Sequence, residues 1–171
     1  MDNFEQAREF HQVFDEIENN RPHVLTNEEA GFRMGFKIEE IVEFLYASAA
    51  GDKECFEQLV EELSKSVKQA KEKIMVKHVE ERMEVPDVLV GQVDAMLDLL
   101  YFVNGTFVRM GVDPRPLSKI VHQANMGKLF PDGKPHYDAV TGKVLKPSNW
   151  EKDFAPEEKI KAELLKQLKK K

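Results

Sequence analysis

Five acidic residues stand in two stretches of the chain that otherwise have the composition of buried helices. They are Glu39, Glu40 and Glu43 in the first stretch, and Asp94 and Asp98 in the second. At about 100° per residue, the three glutamates fall within an arc of roughly 100° around a helix axis. Aromatic residues share that arc, whereas a purely structural helix would keep its glutamates away from them. The two aspartates are one helical turn apart and also share a face.

The second stretch is the more apolar of the two. Between Val88 and Val108, Asp94 and Asp98 are the only charged residues. We therefore expect this helix to be buried, and an isolated buried carboxylate costs several kcal/mol or more. Either a basic side chain or a metal ion would remove that cost. The basic candidates are Arg33, Lys37 and Arg109.

The chemistry of the acidic set favours a hard metal ion. Five carboxylates without a sulfur ligand suit Mg²⁺ or Mn²⁺. Di-iron chemistry is disfavoured, because none of the 5 histidines follows a glutamate at the spacing of a Glu-x-x-His element. Mg²⁺ keeps much of its water and is usually completed by substrate phosphates, which indicates nucleotide chemistry. If basic residues neutralise the acids instead, the chain is a helical interaction module without catalytic activity.

Helical periodicity predicts the elements that position these acids. Thr26 and Glu29 fit a capping box at the start of the first acidic helix. Pro86 suits the first turn of the second, and Gly111 ends it. The predicted helices are residues 3–19, 26–50, 53–83 as one largely solvated helix or two, 86–110, 116–126, and a basic, solvated tail over 157–171.

The predicted fold class is all-α: an antiparallel helical bundle with a long C-terminal loop. In this bundle the 26–50 and 86–110 helices pack with their acids facing. We treat residues 1–171 as a single domain, with a helical core over residues 1–128. Turn-forming residues concentrate in the loop 129–156, where a small hairpin is expected at 136–144.

Composition limits the class of protein further. At 171 residues, 42% hydrophobic and 33% charged, the chain suits a soluble globular domain. Its net charge of −6 argues against specific nucleic-acid binding. The lone Cys55, the lack of a signal peptide and the lack of a spanning segment predict a cytoplasmic protein without membrane attachment. An almost wholly apolar helix in so small a chain suggests a homodimer or homotetramer.

The acidic helices resemble those of the all-α nucleoside triphosphate pyrophosphohydrolases, the superfamily of MazG, dimeric dUTPases and phosphoribosyl-ATP pyrophosphohydrolase. The matching residues are the Glu39-Glu40-x-x-Glu43 motif and an acidic pair that ends in Asp98, before Leu99-Leu100-Tyr101. The resemblance covers about residues 3–128. It looks closest to small proteins of the phosphoribosyl-ATP type, which carry a segment like His122–Phe130 after the metal helices.

The resemblance implies Mg²⁺, with Mn²⁺ as a substitute, held by the three glutamates and Asp98. It also implies hydrolysis between the α- and β-phosphates of a nucleoside triphosphate, giving a monophosphate and pyrophosphate. Phosphoribosyl-ATP or another pyrophosphate is the alternative substrate. Many members have Glu-x-x-Asp on the second helix, but here Ala95 stands three residues before Asp98. Asp94 shares the face and is the expected fifth ligand.

The remaining roles follow from the same chemistry. Glu40 or Glu43 would hold or deprotonate the attacking water. Cationic and amide side chains would bind the phosphates of the substrate, since phosphoryl transfer depends largely on positioning and charge stabilisation. Each lysine has the alternative of being an ordinary solvated surface charge. The candidate substrate-binding residues are Asn125, Lys128, Arg33 and Lys146.

Overall fold

The structure is a computed structural model that describes residues 1–17, 21–81 and 87–169, without the side chains of 78–81. Within these ranges the regular elements are helical, and the all-α prediction is confirmed. The helices are α1 (Asn3–Phe14), α2 (Asn27–Ser48), α3 (Lys53–Glu81), α4 (Val88–Met110), α5 (Pro114–Met126), α6 (Trp150–Asp153) and α7 (Glu157–Lys169).

Both acid-bearing helices begin at side-chain caps. The capping box of α2 is confirmed: the Glu29 backbone N–H donates to Thr26 Oγ1 at 3.1 Å, and the Thr26 N–H donates to the Glu29 carboxylate at 3.0 Å. At the start of α4 the Val90 N–H donates to the Asp87 carboxylate at 3.1 Å. The predicted contribution of Pro86 lies outside the described residues. These local caps fix where the acids fall along each helix.

Two predicted helix ends and one short helix differ from the structure. The first helix does not reach residue 19, because the chain turns after Phe14 and Glu16 adopts a φ of 53°. The start of α5 lies two residues earlier than predicted, because Asp113 caps it and accepts the Arg115 N–H. The short α6 inside the C-terminal loop was not predicted. The expected hairpin at 136–144 is present as a single antiparallel bridge between Tyr137 and Val144.

Contacts divide the chain into two compact units, a first of Met1–Pro22 with Asp98–Lys171 and a second of His23–Leu97. In the second unit α2 packs against α3, and the rings of Tyr46 and Phe56 meet edge to face at 5.4 Å. The Gln92 side-chain amide of α4 pairs with the backbone of Leu25, donating to its oxygen at 3.0 Å and accepting from its N–H at 2.9 Å. This pairing ties the beginning of α2 to the first half of α4.

In the first unit, α5 packs against α1 and α7. The core of this unit includes Phe14, Ala124 and Trp150. The Gln167 side chain of α7 pairs with the Asp113 backbone at 2.9 and 3.0 Å, in the same way that Gln92 pairs with Leu25. The predicted helical tail is present as α7, which has no buried residue but is anchored to the start of α5 by Gln167.

The prediction that the 86–110 helix is buried is wrong for the single chain. No residue of α2 or of α4 is buried, and Asp94 and Asp98 are exposed. The apolar composition of α4 predicts burial, but the described residues of this chain leave every residue of the helix at least partly exposed. Soluble monomers rarely expose contiguous apolar patches of this kind, and larger ones mark interaction surfaces.

Candidate functional site

The acid-bearing face of α2 mixes carboxylates with large aromatic side chains. Glu39, Glu40 and Glu43 are all exposed. Three aromatic residues lie on the same side of the helix by its geometry of about 100° per residue. They are also largely exposed: Phe32 (67%), Phe36 (41%) and Tyr46 (61%). Aromatic rings at this density indicate a surface that another element covers, because a solvated helix face is normally polar.

The acid-bearing face of α4 has the same character. Asp94 and Asp98 share it with Leu97 and Tyr101, whose side chains are 60% and 76% exposed. The boundary between the two units falls between Leu97 and Asp98, so the two aspartates are assigned to different units on one continuous helix. Each helix therefore presents carboxylates within an exposed apolar surface.

For four of the five acids, no salt bridge is seen among the described residues of their unit. Each of Glu40, Glu43, Asp94 and Asp98 lacks a salt-bridge partner among the described residues of its own unit. The basic residues of α2 that precede these glutamates in the sequence are Arg33 and Lys37. The Lys37 ammonium donates a hydrogen bond to the Arg33 carbonyl at 3.2 Å. Burial and, next, the positive charge of Arg33 lower the pKa of Lys37.

The donor set fits a hard divalent cation by its chemistry. It consists of carboxylates, and four of the five have no salt-bridge partner among the described residues of their unit. In neither unit do three or more described His, Cys, Asp or Glu side chains come together as a metal-binding cluster. The assignment of the five acids as metal ligands therefore stays a prediction.

Asn125 and Lys128, the two proposed phosphate contacts, do come together. They flank the end of α5 in the first unit, and the Lys128 ammonium donates to Asn125 Oδ1 at 2.9 Å. The Lys128 backbone N–H donates to the Asn125 carbonyl at 3.1 Å, which tightens the turn after the helix. Both side chains are half-buried. An ammonium and an amide in one tight turn form a suitable anion-binding pair.

The other two candidate substrate contacts are placed differently. The Lys146 ammonium lies 3.7 Å from the centroid of the Trp150 ring and 3.6 Å from the Glu151 carboxylate. Its charge therefore already contributes to packing in the first unit. Arg33 lies on α2 in the second unit, with its guanidinium 5.9 Å from the Phe36 ring centroid. A substrate role for Arg33 and Lys146 stays a prediction.

Sequence reasoning missed Gln92 and Phe154, two residues that position these groups. Gln92 forms hydrogen bonds with the backbone at the start of α2. The sequence feature that could have identified it is a neutral amide side chain in the apolar helix, two residues before Asp94. Phe154 contacts the end of α5 at Gly127, and the sequence feature that could have identified it is a large aromatic residue in a turn-rich loop. Trp150, which the sequence already marks as a residue that could pin this loop to the domain, contacts the same end of α5. The Trp150 indole N–H donates to the Ala124 carbonyl at 2.8 Å. Because Trp150 is only 5% exposed, its indole ring packs inside the unit.

Comparison with known proteins identifies the family of the chain. A family model described as phosphoribosyl-ATP pyrophosphohydrolase matches residues 7–125, which include both acid-bearing helices and Asn125. The chain belongs to the phosphoribosyl-ATP pyrophosphohydrolase family. The match ends at the turn that contains Lys128, so the C-terminal loop and α7 of this family member lie outside it.

A solved structure extends the similarity over the whole chain. A proposed NTP pyrophosphohydrolase from Exiguobacterium sp. 255-15 is 35% identical, with a TM-score of 0.86 over 99% of this chain and 97% of that chain. No curated protein matches. The phosphoribosyl-ATP pyrophosphohydrolase family and this structure together indicate a pyrophosphohydrolase-type activity.

Proposed function

We propose that this protein is a Mg²⁺-dependent nucleoside triphosphate pyrophosphohydrolase that cleaves the α–β phosphate bond and releases a monophosphate and pyrophosphate. The observation that carries the proposal is the position of Glu40 and Glu43 on α2 and of Asp94 and Asp98 on α4, within exposed apolar faces and without a salt-bridge partner among the described residues of their units. The description of the Exiguobacterium protein supports a nucleoside triphosphate as substrate. Phosphoribosyl-ATP is the second candidate, favoured by the description of the family. Measured kcat/KM values for the two substrate types would decide between them.

A second copy of the chain is the partner that best covers these faces. Apolar area removed from water contributes roughly 25 cal/mol per Å², and a twofold interface lets one surface cover another of the same kind. Within the described ranges, α4 is the helix whose length and apolar composition would also allow it to cross a membrane. Asp94 and Asp98 oppose that alternative, since each would cost about 2.5–3.5 kcal/mol near the centre of a span. We therefore propose a cytoplasmic homodimer or dimer of dimers.

Covering these faces creates the need for a cation. Carboxylates that are exposed in the single chain leave water when a second copy covers them, and unpaired buried charge costs several kcal/mol. The residues that would hold Mg²⁺, or Mn²⁺ in its place, are Glu39, Glu40, Glu43, Asp94 and Asp98. When bound, the ion would neutralise substrate phosphates and lower the pKa of a coordinated water.

The side chains of the protein supply the remaining chemistry. A carboxylate oxygen of Glu40 or Glu43 accepts a proton from the attacking water, whose oxygen bonds to phosphorus as the α–β bridging bond breaks. Lys128 and Asn125 donate hydrogen bonds to phosphate oxygens and stabilise the charge of the leaving pyrophosphate. The Lys128 ammonium has three donors and can bind phosphate while it keeps its hydrogen bond to Asn125 Oδ1. We assign Arg33 and Lys146 to further substrate contacts.

Divalent metal is expected to raise the melting temperature of the protein. A ligand that binds only the folded state adds about 2.7 kcal/mol at one hundred times its Kd, which corresponds to about 5–10 °C for a chain of this size. Differential scanning fluorimetry with Mg²⁺, Mn²⁺ and EDTA measures this shift. Asp98→Asn should remove most of the shift, whereas the same change at the exposed Asp153 should leave it intact. Absence of a shift in the wild type would leave the helical interaction module as the better interpretation.

A further inference from the structure

The carbonyl oxygen of Ala124 needs a hydrogen-bond donor that α5 does not supply. In a continuing α-helix this oxygen would accept the N–H of Lys128. That N–H instead donates to the Asn125 carbonyl at 3.1 Å, because the chain tightens at the end of the helix. Ala124 is only 3% exposed, so solvent has little access to it. The Trp150 indole N–H provides the missing bond at 2.8 Å.

A second contact from the same short segment fixes the next part of the turn. A Cβ atom at Gly127 would lie 2.2 Å from Phe154 Cγ, so the Phe154 ring occupies the space that any side chain at Gly127 would need. The φ of Gly127 is −65°, which any residue can adopt, and the glycine is therefore required for space. Residues 150–154, which we call the α6 brace, thus contact the turn through Ala124 and Gly127.

The two contacts of the α6 brace flank the phosphate-binding pair. Asn125 lies between Ala124 and Gly127 in the sequence, and Lys128 follows directly. The Trp150 ring is itself held in place, being buried and covered on one face by the Lys146 ammonium. A rigid aromatic anchor that satisfies the last buried carbonyl of the helix restrains the orientation of the turn that follows it.

We infer that Trp150 is a positioning residue for phosphate binding: through its indole N–H it sets the turn in which Asn125 Oδ1 and Lys128 Nζ meet. This inference rests on the proposed function, since it assumes that the pair binds substrate phosphate. Trp150 does not itself touch the substrate. Its role is separable from packing, because the ring volume and the N–H donor can be removed independently.

The test measures binding of inorganic tripolyphosphate, in the presence of Mg²⁺, to the full-length chain by isothermal titration calorimetry. Trp150→Phe keeps an aromatic ring and removes the donor. Trp150 is the single tryptophan of the chain, so biosynthetic incorporation of benzothienylalanine changes this residue alone. The replacement removes the N–H donor and preserves the bicyclic shape, so it tests the donor even if Trp150→Phe fails to fold. Lys128→Met shows whether tripolyphosphate binds at the pair. Gln167→Leu is the matched control, because it breaks a hydrogen-bonded anchor at the other end of α5, about 20 Å away.

Both replacements at position 150 are expected to weaken tripolyphosphate binding on the order of tenfold, the loss expected when one charge-assisted hydrogen bond is misaligned. Gln167→Leu should bind like the wild type even though its melting temperature falls. With a hydrolysed substrate, kcat/KM should fall by at least a similar factor, because the same pair contacts the phosphates in the bound substrate and stabilises the charge of the leaving pyrophosphate. Wild-type binding by the benzothienylalanine protein, or binding that Lys128→Met leaves unchanged, would overturn the inference. If the proposed function itself is wrong, the wild type releases no pyrophosphate, however strongly it and its variants bind tripolyphosphate.

Discussion

Glu43→Gln is expected to reduce metal-dependent pyrophosphate release by about 10³-fold or more. Glutamine keeps the shape of the side chain but loses the charge that would hold a cation and the basicity that would accept a proton. Glu43 is exposed and without a salt-bridge partner among the described residues of its unit, so the substitution should not disturb the fold. An enzyme-coupled pyrophosphate assay, with circular dichroism to verify helix content, measures the effect.

The matched control is Glu28→Gln. It makes the same chemical change on the same helix, at an exposed residue of the first turn that lies about 22 Å from Glu43 along the axis. Its rate should stay within about twofold of the wild type, since only a solvated charge is lost. Activity that survives Glu43→Gln, or that falls equally in both variants, would remove Glu43 from the site.

Phe32→Asp is expected to separate the oligomer into single chains and to abolish activity. Phe32 is 67% exposed and shares the acid-bearing side of α2, two turns before Glu39. In a twofold assembly the new charge would enter the interface twice, and each unpaired buried charge costs several kcal/mol. Size-exclusion chromatography with light scattering should give a multiple of 19.7 kDa for the wild type and 19.7 kDa for the variant.

Val140→Asp serves as the control for this experiment. Val140 is 93% exposed on the C-terminal loop, so an added charge there should change neither mass nor activity. Parallel far-ultraviolet spectra show whether Phe32→Asp keeps its helices, which α2 should retain because its capping box is intact. A fully active monomeric wild type would contradict the proposed assembly. A Phe32→Asp variant that stays oligomeric would place the interface elsewhere.

The parts of the structure that could be predicted from the sequence depend on local interactions. The start of α2 follows from Thr26 and Glu29, three residues apart, and the spacing of its glutamates follows from helix periodicity. Asn125 and Lys128 were each predicted to contact phosphate, and because they are only three residues apart their side chains meet at 2.9 Å. In each case the sequence contains both partners within one turn.

The parts that could not be predicted depend on distant partners. Gln92 pairs with Leu25 across 67 residues, and Trp150 with Ala124 across 26. Neither side chain lies in a local sequence pattern from which its partner could be predicted. The apolar composition of α4 predicts a surface that requires cover, but composition does not tell whether that cover would come from the same chain or from another. That is why the predicted burial of Asp98 differs from the exposure observed in the single chain.

The most direct test of the central proposal is pyrophosphate release by the purified wild-type protein from a panel of ribo- and deoxyribonucleoside triphosphates, with Mg²⁺ and with EDTA. We predict release that requires Mg²⁺ and yields the nucleoside monophosphate in equal amount, as ³¹P NMR of the products would show. Release of inorganic phosphate with a diphosphate product would contradict cleavage at the α–β bond. No release from any triphosphate, together with no shift of the melting temperature by metal, would contradict both the proposed enzyme and its metal centre.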